Sequence, residues 1–381
     1  MARPAPLSAA ASPGAPMAKA DTDRRLMRRA LRLAARGAGR ASPNPMVGAV
    51  IVQGGQVVAE GYHRGPGTAH AEIVALEWAG AKACGAFMYL TLEPCTHYGR
   101  TPPCAPRVAA AGLARVVIAS EDPNPRVSGG GIAALRQAGV EVEVGLLRED
   151  ENHLNEAYRK HITTARPFVT LKLALSLDGK IATRTGQSRW ITGERARRIV
   201  HRLRARSDAV MVGVGTVLAD DPELTARGVR AARQPLRVVA DSQARTPPAA
   251  KIIHASDRPA LIAVTAQAPD ERLRGLRAAG AEVAVLPERD GRVDLDALLD
   301  ELGRREVASL LVEGGGKLAG SLIEQELVDK AVFFIAPKII GGAGAPTAVA
   351  GRGVAEVADA RRLRDVRCRR SGEDFMIVGY L

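Results

Sequence analysis

The sequence predicts an α/β protein made of two domains, each built on its own sheet. The chain has 381 residues, and at roughly 100–200 residues per domain this length accommodates two domains. Predicted strands and helices alternate along both halves, which is typical of α/β domains. A charged, helix-like connector at 148–167 separates a first domain, 21–147, from a second domain, 168–381.

Residues 1–20 are predicted to form a disordered extension, because four prolines oppose a helix there and no continuous apolar core marks a secretory signal. An amphipathic organelle-targeting peptide is the alternative. The first helix is predicted over Asp23–Arg36, capped by Asp21 or Thr22 and closed by Gly37. Its apolar face consists of Leu26, Ala30, Leu33 and Ala34.

The first domain continues with a predicted hairpin, Val47–Val52 and Gln56–Gly61, which turns near Gly54-Gly55. The elements after it are a helix at Ala69–Ala79, a strand at Phe87–Thr91, a helix at Pro103–Ala111, a strand at Val116–Ala119, a helix at Gly131–Ala138 and a strand at Val140–Val144. This order of elements predicts an α/β sandwich.

The second domain shows the same alternation. Its predicted strands are Phe168–Ser176, Ala209–Val214, Arg237–Ala240, Ala260–Val264, Glu282–Val285, Ser309–Val312 and Lys330–Ala336. Its predicted helices are Glu194–Arg206, Glu271–Ala279, Leu295–Arg304 and Gly316–Glu324. A second α/β sheet is therefore expected.

The composition restricts the partners and the compartment. The net charge is +13, but the arginines fall at helix-like intervals in Leu26–Arg40, Arg195–Arg206 and Arg361–Arg370, and aromatic residues make up only 3%. Few stacking platforms therefore exist for single-stranded nucleic acid. The longest uncharged stretch, Ala41–Ala59, contains two prolines and three glycines, which excludes a membrane-spanning helix. Four cysteines in so long a chain do not make a disulfide scaffold. We expect a cytoplasmic protein without a nucleic-acid or membrane partner.

Three residues of the first domain have the chemistry of a zinc site. His70 opens a predicted helix, and Cys95 and Cys104 follow a predicted strand. One imidazole and two thiolates suit Zn²⁺, and three protein ligands leave the fourth tetrahedral position to water, as in catalytic sites. Glu72 then stands where it can move a proton between that water and a leaving amine. A His-x-Glu motif followed by Pro-Cys is the pattern of zinc nucleobase deaminases.

Two features leave alternatives open. Eight residues separate Cys95 from Cys104, whereas the nucleobase deaminase pattern has two. A closed zinc site, with His97 or His63 as the fourth ligand, would be structural rather than catalytic. The two remaining cysteines are expected to be ordinary buried thiols: Cys84 and Cys368.

Two loop motifs carry further candidates. Asn44 lies between two prolines, which suits a rigid amide for base recognition, although a plain turn is the alternative. Asp122–Pro125 repeats the arrangement at the end of a strand. The run Glu313–Ser321 follows a strand and opens a helix, so its glycines predict a phosphate-binding helix N-terminus. It lacks the dinucleotide-binding spacing, and a flexible turn is the alternative.

Together these motifs resemble the bifunctional deaminase–reductase family of riboflavin biosynthesis. The matching segments are Pro43–Gly48, His70–Glu72, Leu92–Cys104, Asp122–Pro125, Lys172–Ala174, Ser176–Lys180, Trp190–Thr192, Thr216–Pro222 and Val312–Gly316. The long loop between the cysteines belongs to that family. The resemblance implies a cytidine-deaminase-like α/β/α sandwich followed by a dihydrofolate-reductase-like α/β domain.

The resemblance also implies two reactions. The first domain would remove the 2-amino group of a diaminopyrimidinone that carries a ribosylamino 5′-phosphate, and the second would reduce the ribose to ribityl with NADPH. One zinc ion per chain would be held by His70, Cys95 and Cys104, with Glu72 as the proton shuttle. The implied substrate contacts are Asn44, His97, Arg100, Ser188, Arg204, Leu224, Arg227 and Glu313. Lys172, on the first strand of the second domain, is a further hypothesis for a contact with the ribose hydroxyls or the ring-opened imine, and a surface lysine is the alternative. The implied NADPH contacts are Ala174, Trp190, Thr216, Asp220, Ser242, Gly315, Gly316, Lys317, Leu318, Ala319, Gly320 and Ser321.

Within that assignment, Arg204 and Arg227 suit a clamp on the 5′-phosphate, because a guanidinium fork matches phosphate oxygens. Glu313 and Asp178 are candidates for the general acid of the reductase. A homo-oligomer, dimer or tetramer, is a family expectation. Two other functions stay open: a zinc deaminase acting on tRNA or another nucleobase, and an RNA-binding protein with a structural zinc. The reductase motifs argue against the tRNA reading, since they would then have no substrate.

Overall fold

The computed structural model describes residues 15–381, and these form two compact units. The described part of the first unit is 15–37 and 46–154, and the second unit is 38–45 and 155–381. The division therefore falls inside the predicted connector, which forms two helices, one in each unit.

The N-terminal helix begins earlier than predicted. Residues 1–14 of the predicted extension lie outside the described residues, whereas the rest of it belongs to helix α1, Ala15–Ala34. The predicted capping positions, Asp21 and Thr22, are therefore wrong. Pro16 lies in the first helical turn, where its missing N–H and fixed φ are tolerated. The predicted apolar face is confirmed by the burial of Leu26, Ala30, Leu33 and Ala34.

The first unit is a five-stranded sheet with helices. Its strands are β1 Gly48–Gln53, β2 Gln56–Tyr62, β3 Phe87–Leu92, β4 Arg115–Ser120 and β5 Glu141–Val144. Its helices after α1 are α2 Ala71–Ala79, α3 Ala105–Ala109, α4 Gly130–Gln137 and α5 Arg148–Leu154. The strand order is β2-β1-β3-β4-β5, antiparallel as far as β3 and parallel from β3 to β5. All elements predicted after α1 are confirmed. The hairpin turn has positive φ at Gly54 and Gly55, as a two-residue hairpin loop requires.

A buried ion cluster ties α1 to this sheet. Arg115 on β4 is almost fully buried, and its Nη2 donates to Asp23 Oδ2 on α1 at 2.8 Å. Its Nε donates to Glu143 on β5 at 3.0 Å, and the Tyr89 hydroxyl on β3 donates to Asp23. A buried guanidinium is stable only when its charge and N–H groups are matched. The cluster therefore fixes the helix against three neighbouring strands.

The second unit is a nine-stranded sheet with helices on both faces. Its strands are β6 Phe168–Ser176, β7 Ala209–Gly213, β8 Leu236–Ala240, β9 Leu261–Val264, β10 Glu282–Val285, β11 Glu288–Arg289, β12 Arg292–Val293, β13 Ser309–Val312, β14 Lys330–Ala336, β15 Arg364–Ser371 and β16 Asp374–Tyr380. Its helices are α6 Glu156–Thr164, α7 Glu194–Arg206, α8 Val214–Asp220, α9 Lys251–His254, α10 Asp270–Ala278, α11 Leu295–Arg304 and α12 Gly316–Glu324. The order is β10-β9-β8-β7-β13-β6-β14-β16-β15, and β11 pairs with β12 separately.

The large sheet is parallel from β10 to β14 and ends in an antiparallel hairpin, β16 and β15. Its two faces bury separate apolar clusters: on β7, Met211 enters one cluster, and Val210 and Val212 enter the other. Burial on both faces explains why these strands are continuously apolar in sequence. The carboxyl ends of β8, β7, β13 and β6 lie side by side, which is where open α/β sheets bind ligands.

The C-terminal hairpin was not predicted, and the helix-like reading of Arg361–Arg370 is wrong. Most of that stretch is strand β15, which pairs with β16 at the sheet edge and is exposed along almost its whole length. An edge strand without a buried face lacks the alternation of apolar residues that identifies strands. No helix in the described part of the chain is both long and apolar enough to cross a membrane.

Candidate functional site

The three predicted zinc ligands converge in the first unit. His70 caps the N-terminus of α2, Cys95 follows β3, and Cys104 precedes α3. His70 Nδ1 lies 3.2 Å from Cys104 Sγ and 3.6 Å from Cys95 Sγ. A hydrogen bond from the Cys104 thiol lowers the pKa of Cys95, and His70 assists this shift.

This geometry fits a zinc ion. Tetrahedral Zn²⁺ with Zn–N of ~2.0 Å and Zn–S of ~2.3 Å places its ligand atoms about 3.3–3.8 Å apart, close to the spacing observed. Among the described residues, the group of metal-type side chains within mutual reach contains His70, Cys95 and Cys104 and neither His63 nor His97. His63 instead meets the His70 ring edge-on at 5.0 Å between centroids. The closed four-ligand alternative has no fourth ligand in the described structure.

Glu72, the predicted proton shuttle, lies close to the predicted ligand His70 in sequence and is buried. It lies in the first turn of α2, two residues after His70, and is 3% exposed. Its Oε2 atom is buried and has no hydrogen-bond partner among the residues that the structure describes. Burial raises the pKa of Glu72 to about 7, although the charge of His70 opposes the shift. A carboxyl group of this kind can exist in either protonation state near neutral pH.

The long loop between the cysteines supplies a residue that sequence reasoning missed. The Thr101 hydroxyl lies 3.1 Å from His70 Nε2, the ring nitrogen that faces away from the two sulfurs. A hydrogen bond at that nitrogen fixes the imidazole orientation and leaves Nδ1 for the metal. The Thr-Pro-Pro-Cys sequence itself gave no sign of this contact, because it depends on how the loop folds back over α2. His97 and Arg100, both predicted substrate contacts, lie in the same loop.

In the second unit, three predicted substrate residues meet in a charged cluster. Glu313 follows β13, Lys172 lies on the neighbouring β6, and Arg204 lies on α7. Arg204 donates to Glu313 through Nε at 2.6 Å and Nη2 at 3.0 Å, and Lys172 Nζ lies 3.4 Å from Glu313. Although burial opposes it, the Arg204 and Lys172 charges lower the pKa of Glu313 to about 2. Burial lowers the pKa of Lys172. Glu313 is therefore ionised, which argues against it as the general acid.

Two further pairs of predicted cofactor or substrate residues lie next to each other: Ser188 with Asp220, and Gly315 with Thr216. The Ser188 hydroxyl donates to Asp220 at 2.8 Å. A Cβ on Gly315 would lie 3.7 Å from the Thr216 hydroxyl, so the backbone here is open for close approach. Two other glycines of the run are required by close packing. A Cβ on Gly316 would lie 2.3 Å from Thr347 O, and a Cβ on Gly320 would lie 1.5 Å from Ala350 O. Packing, rather than a phosphate, requires those two.

Several predicted contacts already have partners within the fold. Leu224 is 3% exposed in an apolar cluster, which leaves only its backbone for a substrate. The Ser242 hydroxyl accepts from Val293 N at 3.0 Å, and Arg227 pairs with Glu223. Arg204 and Arg227 thus each already pair with a carboxylate of the fold. Their role as a clamp on the 5′-phosphate stays a prediction. The side chain of Ala319 belongs to the core, while Trp190 is 63% exposed.

The remaining predicted residues lie as follows. Ala174 is on β6, packed beside a core cluster, and Lys317, Leu318 and Ser321 are on α12. Asn44 lies in Ala38–Pro45, the segment that groups with the second unit, where the Ser42 hydroxyl donates to Asp208 at 2.7 Å. Its role as a substrate contact stays a prediction.

Two expectations are wrong. Asp178 accepts hydrogen bonds from the Ser176 hydroxyl and from the backbone N–H groups of Ile340 and Gly341, and these lower its pKa to about 2. It therefore ties a turn to a loop and holds no proton to donate near neutral pH. Cys84 and Cys368 are exposed rather than buried, and neither belongs to an apolar cluster; Cys368 lies on the exposed edge strand β15.

Known families match both units. Residues 20–120 match the zinc-binding region of cytidine and deoxycytidylate deaminases, and residues 167–377 match the RibD C-terminal domain. The riboflavin biosynthesis protein RibD of Actinobacillus pleuropneumoniae is 44% identical over 359 residues, 94% of this chain and 95% of that protein. The RibD protein of Escherichia coli K12 is 42% identical over 364 residues, 92% of this chain and 97% of that protein.

Solved structures agree. Acinetobacter baumannii RibD, form 1, superposes with a TM-score of 0.85 at 35% identity and covers 95% of this chain and 99% of that one. A Thermotoga maritima structure has a TM-score of 0.83 at 35% identity, with the same coverage. That protein is described as a diaminohydroxyphosphoribosylaminopyrimidine deaminase/5-amino-6-(5-phosphoribosylamino)uracil reductase.

The contact of Thr101 with His70 is testable. We expect Thr101→Val to weaken zinc binding by about tenfold or more, because loss of an outer hydrogen bond frees the ligand imidazole to rotate. Competition with a chromophoric chelator measures the affinity. Thr101→Ser keeps the hydroxyl and serves as the control. Equal zinc affinity in the Val and Ser variants would contradict the assigned contact.

Proposed function

Because the chain belongs to the RibD family of bifunctional riboflavin-biosynthesis enzymes, we propose how its own residues perform the two reactions of that family. The chain is a deaminase and a reductase, with a zinc-binding deaminase domain and an NADPH-dependent reductase domain of dihydrofolate-reductase-like fold. The predicted bounds, 21–147 and 168–381, are our assignment of these domains. The proposed substrates are those in the name of the Thermotoga relative.

The observation that carries the proposal is that one chain holds both clusters: His70 with the two cysteines, and Glu313 with its two cations. A tRNA or nucleobase deaminase would leave the second cluster without a substrate. An RNA-binding protein with a structural zinc would not need a buried carboxyl group beside the ligands with one oxygen, Glu72 Oε2, lacking a hydrogen-bond partner among the described residues. We therefore propose a phosphorylated pyrimidine, and no nucleic acid, as the partner of both sites.

In the first unit we propose that His70, Cys95 and Cys104 hold the zinc ion and that Glu72 moves the proton. Zinc, when bound, supplies a water acidified enough to attack at neutral pH. Glu72 accepts the proton that the attacking water loses and delivers it to the leaving amine, because its buried Oε2 lacks another partner. A carbon–oxygen bond forms, the carbon–nitrogen bond breaks, and ammonia leaves. The substrate contacts that we propose in this unit are His97 and Arg100. Asn44, in the 38–45 segment of the second unit, is proposed separately as a further substrate contact.

In the second unit we propose that Lys172, Arg204 and Glu313 orient the ribose in its ring-opened form. NADPH, when bound, supplies the reducing equivalents. Lys172 presents an ammonium to the ribose hydroxyls or the imine, and Glu313 keeps that ammonium in place from the next strand. The further substrate contacts that we propose are Ser188, Leu224 and Arg227. The proposed NADPH contacts are Ala174, Trp190, Thr216, Asp220, Ser242 and Gly315–Ser321.

We further propose a homo-oligomer in the reducing cytoplasm. All four cysteines, two of them the proposed ligands, are free thiols, which a reducing compartment maintains. Within residues 15–381, strand β15 is the last strand at one edge of the large sheet; Val366 on it is exposed, as are Val354 and Val357 in the segment before it. A second copy of the chain can pair with such an edge by twofold symmetry. The second unit is therefore the proposed dimer surface.

A direct assay tests the proposed function. Purified protein incubated with the diaminopyrimidinone nucleotide is expected to release ammonia without NADPH, and to oxidise NADPH only as deaminated product forms. Ammonia release without any NADPH oxidation would contradict the assignment of the second unit. Deamination of tRNA but not of the nucleotide would contradict the assignment of the first.

Glu72→Gln is expected to lower the rate of ammonia release by about 10²–10⁴-fold, since the amide cannot carry the proton. Zinc content and reduction of supplied deaminated substrate should stay at wild-type levels. Glu77→Gln, an exposed position on the same helix, is the matched control. Deamination by the Glu72 variant at the rate of the control would exclude Glu72 as the proton carrier.

Glu313→Gln is expected to lower kcat/KM of the reductase by about 10–100-fold, because it removes charge-assisted hydrogen bonds worth roughly 1.5–3 kcal/mol. Ammonia release should not change. Steady-state NADPH oxidation measures the effect, and Glu194→Gln, at an exposed position on α7, is the control. An unchanged reductase would contradict the proposed role of the cluster.

Sedimentation tests the proposed dimer surface. Wild-type protein is expected at twice the chain mass of 40.1 kDa, and Val366→Asp on β15 is expected to shift it to monomer. Val285→Asp changes an equally exposed valine on the opposite edge strand, β10, and should leave the dimer intact. A Val366 variant that stays dimeric would place the interface elsewhere.

A further inference from the structure

A second carboxylate near the zinc site, that of Glu93, has no role in the proposed reaction. It follows β3 directly, two residues before the ligand Cys95, and is 3% exposed. Glu93 does not belong to the group of metal-type side chains around His70. A carboxylate buried to this extent requires compensating donors, and the structure shows where they come from.

Four backbone N–H groups donate to Glu93. Its Oε1 accepts from Gly131 at 2.9 Å and from Ile132 at 3.0 Å, in the first turn of α4. Its Oε2 accepts from Gly129 at 3.0 Å and from Asp122 at 3.2 Å. Each oxygen therefore takes two donors, and a negative charge here is favoured by the N-terminus of α4. One side chain joins the end of β3 to both ends of the 122–132 segment.

The 122–132 segment also packs closely against the backbone on both sides of Cys95, at Pro94 and Thr96. A Cβ on Gly131 would lie 2.1 Å from Pro94 O, so α4 approaches as closely as only glycine allows. The Thr96 hydroxyl donates to Arg126 O at 3.2 Å. On the other side, Cys95 O accepts from Ala105 N at 3.0 Å, and its Sγ accepts from Cys104 N at 3.3 Å. Cys95 is thus held between α3 and the segment that Glu93 ties down.

The loop motif Asp122–Pro125 belongs to this arrangement. Asp122 Oδ1 accepts from Asn124 N at 2.9 Å, and Asn124 Oδ1 accepts from Arg126 N at 3.0 Å. These bonds, together with the two prolines, make the loop rigid. Because the loop is rigid, we expect the 122–132 segment to shift as a unit if the Glu93 carboxylate is displaced. Such a shift would move the backbone at Pro94 and Thr96, on either side of Cys95.

We propose that Glu93 is a positioning residue of the deaminase, which holds the β3 end and the α4 N-terminus so that the thiolate of Cys95 points at the metal. Its carboxylate neither binds the metal nor exchanges a proton with the substrate. The inference rests on the proposed zinc site. Its effect is on the direction and affinity of one ligand, and so on the first reaction alone.

Glu93→Gln in the full-length chain tests this proposal. The amide nitrogen would face two N–H donors, so two of the four hydrogen bonds are lost while the shape is kept. We expect zinc affinity, measured by chelator competition, to fall by at least about tenfold, and the visible absorption bands of the Co²⁺-substituted protein to shift. Deamination should fall with zinc occupancy. Reduction of supplied deaminated substrate should stay within twofold of wild type.

Glu143→Gln is the matched control, since it also weakens a hydrogen-bonded carboxylate of the first unit, one that pairs with Arg115. It should lower the melting temperature without changing zinc affinity or the Co²⁺ spectrum. Glu93→Asp keeps the charge but shortens the reach, and an intermediate zinc affinity is expected. If Glu93→Gln does not fold, the zinc affinity of Glu93→Asp tests the proposal in the same way.

Wild-type zinc affinity and Co²⁺ spectrum in the Glu93 variants, with only a lower melting temperature, would overturn the proposal and leave Glu93 purely structural. A wild-type chain that binds no zinc would instead overturn the proposed zinc site itself. The two failures are therefore distinguishable.

Discussion

The approach of two cysteine sulfurs to one imidazole nitrogen, at 3.2 and 3.6 Å, is the constraint on which the first unit depends. The lone pairs of these three atoms repel one another in a partly buried space, unless a shared proton or a bound cation lies between them. The ligands come from the starts of two helices and the end of a strand. Around them, Thr101 orients the imidazole and Glu93 orients one thiolate. One oxygen of Glu72, Oε2, has no hydrogen-bond partner among the described residues, which supports its proposed role in proton transfer.

In the second unit, two basic side chains compensate a buried carboxylate. Glu313 stands between two cations, and adjacent parallel strands bring it against Lys172. The compensation comes from the side chains of the cluster itself, so the cluster stays charged and oriented although these side chains are largely buried. The glycine run beside it serves two purposes. Gly316 and Gly320 allow close packing on the 347–350 segment, whereas Gly315 leaves open backbone near Thr216.

Most of the fold could be predicted because its strands and helices are marked by local patterns. The buried parallel strands are continuously apolar, and glycines or prolines punctuate the turns. The candidate metal site was also predictable, since His70, Cys95 and Cys104, which the structure brings together, have the right chemistry for zinc. What could not be predicted depends on distant partners. Nothing near Glu93 in sequence indicates the backbone of 122–132. The exposed strand β15 has no apolar alternation, and only its pairing with β16 makes it a strand.

X-ray absorption of the zinc-loaded chain tests the central claim most directly. The account predicts one zinc per chain, with one nitrogen from histidine at about 2.0 Å, two sulfurs at about 2.3 Å, and one light scatterer from solvent that exchanges with added ligands. A shell with a second histidine nitrogen, or with fewer than two sulfurs, would contradict it. The site would then be closed or different, and the assignment of Glu72 as the proton carrier would lose its basis.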